Sequence, residues 1–245
     1  INFWIASISA IILFFIILSI SIEMSDEDVE KAQSVNVKDV CLLFKLKEFW
    51  FFILYVIGVT CFYNVYDQQF PLYYSSMFST KELGNQIFGY LNSFQVFLEA
   101  AMMFIAPVIV NKISAKKGLI IAGLLMSFRI IGSGLATEPI LISCMKLLHA
   151  VELPIMLISV FKYLAANFDN RLSSILYLVG YQFVSQVGAT VLSPIIGRFY
   201  DTVGFSTTYI IMGCIVLVFT LISMVTLAGS KKENLVTTKI INENS

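Results

Sequence analysis

Apolar stretches close to 20 residues long recur along this chain, and no other feature constrains its fold as much. A helix rising 1.5 Å per residue needs about 20 such residues to cross the roughly 30 Å hydrocarbon layer of a bilayer. Stretches of this kind fall at about 3–22, 49–70, 86–110, 118–136, 139–164, 172–196 and 207–229. In hydrocarbon, backbone N–H and C=O groups must be satisfied within the segment, so these stretches predict helices. The two-residue alternation and aromatic girdles of an outer-membrane barrel are missing. Composition agrees: 58% of the 245 residues are hydrophobic, only 13% are charged, and Phe alone occurs 21 times. That is far from the profile of soluble domains. The predicted class is an all-α membrane protein.

The basic residues give an orientation. Lys31, Lys38, Lys45, Lys47, then Lys112, Lys116, Lys117, then Lys162, Arg171, then Lys231, Lys232, Lys239 fall at or near alternate ends of the spans. The opposite connections carry only Lys81 and Arg198. By the positive-inside rule the first set is cytoplasmic, and membrane lipid is the surrounding partner. The overall charge of zero carries no information, and nothing points to nucleic acid. Cys61, Cys144 and Cys214 lie in spans and Cys41 in a connection, without the spacing of a disulfide framework or a metal site, so no cofactor or metal is expected.

The order of segments predicts four parts: a single span at 1–22, a cytoplasmic connector at 23–48, a six-helix bundle at 49–229 and a cytoplasmic tail at 230–245. The connector holds the acidic cluster Asp26-Glu27-Asp28, with Ser25 as a possible helix cap. Ile1 is not a methionine, and no basic stretch precedes the first span. One helix, a connector and six helices are what remains when five helices are removed from the start of a twelve-helix protein, so the chain is read as shortened at its N-terminus.

Within the spans, polar residues stand where lipid-facing helices carry none. Lys146, His149 and Glu152 are three apart, which places them on one helical face, and His149 is the only histidine. A charge at the bilayer centre costs at least about 2.5–3.5 kcal/mol, so three ionisable groups in one span need partners or water. The span from Phe49 carries Asn64 and Asp67, followed by Gln68 and Gln69; the next carries Asn92 and the i,i+4 pair Gln95 and Glu99. Arg129 lies deep in its span. Opposite charges facing one cavity compensate each other, whereas single buried charges cannot. Plainer readings exist: Glu99 as a helix-packing group, Lys162 as a side chain snorkelling to the interface, and Gly123, Gly132 and Gly134 as close-packing positions.

The segments Phe62-Tyr-Asn-Val-Tyr-Asp-Gln-Gln69, Phe88-Gly-Tyr-Leu-Asn-Ser-Phe-Gln95, Ser127-Phe-Arg-Ile-Ile-Gly-Ser133, Lys146-Leu-Leu-His-Ala-Val-Glu152 and Phe161-Lys-Tyr163 resemble the oligosaccharide:proton symporters of the major facilitator superfamily, the lactose permease group. The resemblance runs from residue 1 to about 229 and is greatest to the sucrose-transporting members. The segments that favour those members are Gly89–Val96 with Leu98-Glu-Ala100, and Ile158–Tyr163 with the residues that follow it. It implies proton-coupled symport of sucrose or a related oligosaccharide by a protein that is monomeric at full length and not an enzyme. It implies, too, that Glu152 carries the proton, that His149 links it to the sugar site and that Arg129 favours its release. Asp67 and Lys146 match an interhelical ion pair. Tyr63 matches the edge of the sugar pocket. Lys162 matches a lysine whose usual aspartate partner is Asn64 here, so a hydrogen bond to Asn64 is the expected substitute.

One departure from the family pattern is pointed. Its sugar-recognising carboxylate aligns with Val96, while Glu99 falls where lactose-transporting members have an amide, and Gln95 replaces a glycine. A rebuilt sugar pocket follows, its expected residues being Tyr63, Asn64, Gln95, Glu99, His149 and Lys162; a shifted alignment is the alternative explanation. Transport would proceed by rocking of two halves about a midplane site, with the principal sugar-holding residues in the half this chain lacks. A lactose, raffinose or melibiose type of galactoside remains an alternative substrate, and a transport-dead membrane fragment or sensor an alternative class. An intramembrane enzyme is disfavoured, since one histidine and no nucleophile with a base leave little for catalysis.

Overall fold

The computed structural model describes residues 8, 11–16, 43–169 and 172–229, apart from the side chain of residue 174. The chain divides into two compact units, 1–36 and 37–245. In the first, residues 8 and 11–16 are helical, and their Ile, Leu and Phe side chains are exposed. The rest of the first predicted span, most of the connector with Ser25 and Cys41, and the predicted tail lie outside the described residues.

The second unit is a bundle of long apolar helices: α1 (Lys47–Ser76), α2 (Lys81–Ile113), α3 (Ala115–Leu135), α4 (Pro139–Asn167) and the stretch Leu176–Thr226. The last is two helices, α5 (176–203) and α6 (205–226), because Gly204 breaks it with φ 80° and ψ 168°. A connection over 197–206 is what the hydropathy suggests; the structure instead turns the chain at this single residue. Arg198 and Asp201 therefore lie on the last turns of α5. Among the described residues, helices cover the spans predicted at 49–70, 86–110, 118–136 and 139–164, with α1 running on at its C-terminal end and α2 at both ends.

Short connections fix the antiparallel order. Thr80 caps α2, its hydroxyl accepting from Leu83 N at 3.2 Å, which satisfies one of the helix's free N–H groups. Between α2 and α3 only Ser114 is non-helical, at φ 79° and ψ 154°. Pro139 opens α4 at a position where its missing N–H costs nothing.

Two local irregularities shape the centre. In α1 the α-helix gives way to a π-helical turn over Val56–Thr60 before resuming at Cys61. Gly58 lies in that turn, where a Cβ would fall 2.0 Å from the ring of Phe219, so only glycine lets α6 approach this closely. In α4 the helix is interrupted at Leu148 and resumes at His149. At the break both Val151 N and Glu152 N bond the Leu148 carbonyl, at 3.0 and 3.1 Å. Pro154 follows closely: it has no N–H to donate, so the Ala150 carbonyl loses its helical partner.

Packing brings α3 against α4 and α6, α2 against α4, and α1 against α5 and α6. Small residues set the closest approaches: a Cβ on Gly123 would meet Thr220, one on Gly132 would meet Met145, and one on Gly134 would lie 2.7 Å from Ser206 O. Those glycines are packing positions. Helix α2 differs from the rest, with Phe94, Val96, Phe97, Phe104, Ile105 and Val108 exposed. Of the cysteines, Cys61 is buried and Cys144 and Cys214 are exposed on the apolar surface.

Candidate functional site

The ionisable side chains of four helices meet around His149. Helix α1 contributes Tyr63 and Asp67, α2 contributes Gln95 and Glu99, α3 contributes Arg129, and α4 contributes Lys146, His149 and Glu152. Spacing alone places the α4 triad on one face; the interruption at Leu148 then lets Lys146 end one helical segment while His149 and Glu152 begin the next. Arg129 and Glu152 are fully buried, and Gln95, Lys146 and His149 nearly so.

Asp67 is the hub for the cations. Its Oδ1 accepts from Arg129 Nη1 at 3.1 Å and from Lys146 Nζ at 3.3 Å, and its Oδ2 lies 3.7 Å from His149 Nδ1. Arg129 Nη2 reaches Glu152 Oε1 at 2.6 Å. That contact is an ion pair without hydrogen-bond alignment, since Nη2 has no aligned acceptor. His149 Nδ1 lies 3.4 Å from Glu152 Oε1, and on the other side of the ring Nε2 lies 4.0 Å from Glu99 Oε2. The imidazole is stacked on Tyr63, with centroids 5.4 Å apart and planes 21° apart, and the Tyr63 hydroxyl lies 3.2 Å from Nε2.

The result is a continuous path of polar contacts from Arg129 through Glu152 and His149 to Glu99. Glu152 is enclosed at one end. At the other, Glu99 is partly exposed, and it is held by Gln95, whose Nε2 donates to Glu99 Oε2 at 3.1 Å. Gln95 Oε1 is buried without a hydrogen-bond partner, an acceptor that a ligand hydroxyl could satisfy. Val96, one residue on, is exposed at the bundle surface. A step of about 100° per residue separates the two, so α2 presents Gln95 and Glu99 to the cluster and turns Val96 away. Asn64 stands on the same face of α1 as Asp67, partly exposed, with no side-chain hydrogen bond among the described residues.

Lys162 does not join this cluster. Its Nζ donates to Asn111 Oδ1, near the end of α2, and not to Asn64. The physical reason is distance: thirteen residues separate it from His149 along α4, about 20 Å of helix. The expected Lys162–Asn64 bond is therefore corrected, and Lys162, expected at the sugar pocket, stands apart from the cluster. Gln68, suggested by its position beside Asp67, is exposed.

Two residues escaped the sequence reading. Tyr66 lies against Arg129, its ring centroid 4.7 Å from Cζ, and its hydroxyl is 2.7 Å from Ser133 Oγ. Phe70 lies beneath Lys146, 5.4 Å from Nζ. The available signal was the spacing Tyr63, Tyr66, Asp67, Phe70, which puts three aromatic rings on the face that carries the aspartate.

No group of three or more His, Cys, Asp or Glu side chains among the described residues could hold a metal ion. The arrangement sets one enclosed carboxylate, Glu152, between a guanidinium and an imidazole, and leaves a second, Glu99, partly exposed at the far side of the imidazole.

A bundle of span-length apolar helices around a buried ionic cluster defines a multi-pass membrane protein. A family model described as the LacY proton/sugar symporter matches residues 1–240. The chain is 43% identical over 237 residues to a lactose permease of Klebsiella oxytoca, covering 94% of this chain and 57% of the relative. It is 43% identical over 198 residues to a melibiose permease of Enterobacter cloacae, covering 81% and 47%. To a sucrose permease of Escherichia coli it is 37% identical over 243 residues, covering 98% and 58%. The chain thus spans about half the length of the curated relatives it matches. It belongs to the LacY family of proton/sugar symporters, within the major facilitator superfamily, and is not an enzyme.

Proposed function

We propose that this chain forms the proton-coupling part of a sugar:proton symporter in the inner membrane of a bacterium, with its connector and tail on the cytoplasmic side. The observation that carries the reading is the path from Arg129 through Glu152 and His149 to Glu99, which joins an enclosed carboxylate to one at the accessible edge of the cluster. A carboxyl out of water is harder to ionise, and a nearby cation favours the ionised form. Glu152 protonated would leave Arg129 with Asp67 alone; Glu152 ionised would take up the pair seen here. Sugar hydroxyls meeting Gln95 and Glu99 would bear on the same imidazole that touches Glu152, so sugar and proton occupancy become linked.

Sucrose or a related oligosaccharide is the substrate this reading favours. Its support is the rebuilt wall of α2, where Gln95 and Glu99 face inward and Val96 does not. A second reading, a galactoside, is favoured by the higher identity to lactose and melibiose permeases than to sucrose permease. The test uses the longest in-frame product that contains this chain, in vesicles with an imposed proton gradient. Labelled sucrose should accumulate, collapse with a protonophore, and be displaced by excess sucrose more effectively than by lactose, melibiose or raffinose. Displacement in the reverse order establishes the galactoside reading, and accumulation that ignores the gradient sinks symport.

A further inference from the structure

Arg129 is fully buried, yet its hydrogen bonding is thin. Only Nη1 has an aligned acceptor, Asp67; Nε and Nη2 have none. A guanidinium is flat and weakly hydrated, so an aromatic ring can cover its face. Tyr66 does so at 4.7 Å from ring centroid to Cζ, with Tyr63 farther away at 5.5 Å. The Tyr66 ring is itself fixed. Its hydroxyl lies 2.7 Å from Ser133 Oγ, and Phe70 and Tyr209 pack on it at 5.5 and 4.8 Å between centroids. Ser133 follows Arg129 by four residues and so shares its face of α3. One helix thereby supplies the guanidinium and also the anchor for the ring that covers it.

The structure assigns Tyr66 as a positioning residue, which holds the Arg129 guanidinium beside Glu152 through its ring face and is oriented by Ser133. The assignment rests on the reading of Glu152 as the proton carrier. In that reading Glu152 alternates between a carboxylate that attracts Arg129 and a neutral carboxyl that does not. The attraction of a ring quadrupole for the guanidinium is indifferent to that change, so it keeps the cation within reach for the next deprotonation. The other charged or titratable groups facing the pair are Tyr63 and Asp67 from α1, Lys146 and His149 from α4, and Glu99 from α2 through His149. All except Tyr63 act as charges or as a proton acceptor, and Tyr63 already stacks on the imidazole.

The test follows the infrared band of a protonated carboxyl in the longest in-frame product containing this chain, the band being assigned by its loss in Glu152→Gln. Position 66 is varied from Tyr to Phe and then through phenylalanines of increasing fluorine content, which weaken the ring's negative face with little change of shape. Expected is a band that persists to higher pH with each step, by roughly half a unit to one unit across the series. Accumulation of labelled sugar should fall more than equilibrium exchange. Tyr66→Phe and Ser133→Ala should give the same smaller displacement, since each removes the one hydroxyl bond. A band lost at the same pH throughout the fluorinated series overturns the assignment, even if accumulation falls. If Glu152→Gln removes no band at all, the reading of Glu152 fails and the assignment with it.

Discussion

At the scale of single residues, Asp67 and Lys146 are not equal partners. Asp67 meets Arg129, Lys146 and His149, whereas Lys146 pairs with Asp67 alone among the described residues. Removing one member of a buried pair strands the other, at about 3–5 kcal/mol. Asp67→Asn should therefore lower the amount of folded protein and its transport more than Lys146→Met does. The double change should recover most of the loss from stranding Lys146 but not the part due to Arg129. Expression and uptake measured in all four combinations check this; equal damage from the two single changes would contradict it. For Glu152, replacement by Gln keeps the shape and hydrogen bonds of a protonated carboxyl and removes only the ability to release the proton. Equilibrium exchange of labelled sugar should survive while uphill accumulation falls by at least about tenfold. Accumulation at the original level in the same vesicles would remove Glu152 from the coupling role.

At the scale of elements, two turns adopt the same backbone conformation with different residues. Gly204 at φ 80° and ψ 168° and Ser114 at φ 79° and ψ 154° both occupy a region that is essentially confined to glycine. A Cβ at Gly204 would meet nothing within 4 Å, so its role is conformational. Gly204→Ala should destabilise by about 1–3 kcal/mol through strain alone. Ser114→Gly should act in the opposite direction, gaining about 1 kcal/mol after the greater unfolded-state freedom of glycine is subtracted. Thermal unfolding of the purified protein in detergent reads both, as a lower and a higher midpoint. The interruption of α4 is of another kind: Pro154 loosens the backbone where His149 must reach two carboxylates on different helices.

At the scale of the whole molecule, α2 is the least buried of the span-length helices described, and it carries the polar pair nearest the accessible edge of the cluster. If Gln95 and Glu99 meet the sugar, Glu99→Gln should weaken binding by about 1.5–3 kcal/mol, the range for a hydrogen bond to a charged group. That is roughly a tenfold to hundredfold rise in the concentration for half-maximal uptake. Val96→Ala should leave it within a factor of two, because Val96 faces the bundle surface. An effect of Val96→Ala as large as that of Glu99→Gln would mean that the sugar meets α2 on its other face.

The sequence by itself determined the helical, membrane-spanning class, because a run of apolar residues near 20 long has no other way to satisfy its backbone in hydrocarbon. The same local rule put Lys146, His149 and Glu152 on one face and paired Gln95 with Glu99, since helical spacing is a property of neighbours along the chain. What crosses between helices was not legible in that way. Lys162 finds Asn111 and not Asn64, Tyr66 covers Arg129, and Asp67 gathers two cations and an imidazole. Each of these depends on the register in which α1 to α4 pack. That register is set by close approaches such as Gly134 to Ser206 and by the break at Leu148, which only the packed bundle reveals. Burial of a charge compels it to find a partner, but which partner lies within reach is decided by three-dimensional distance.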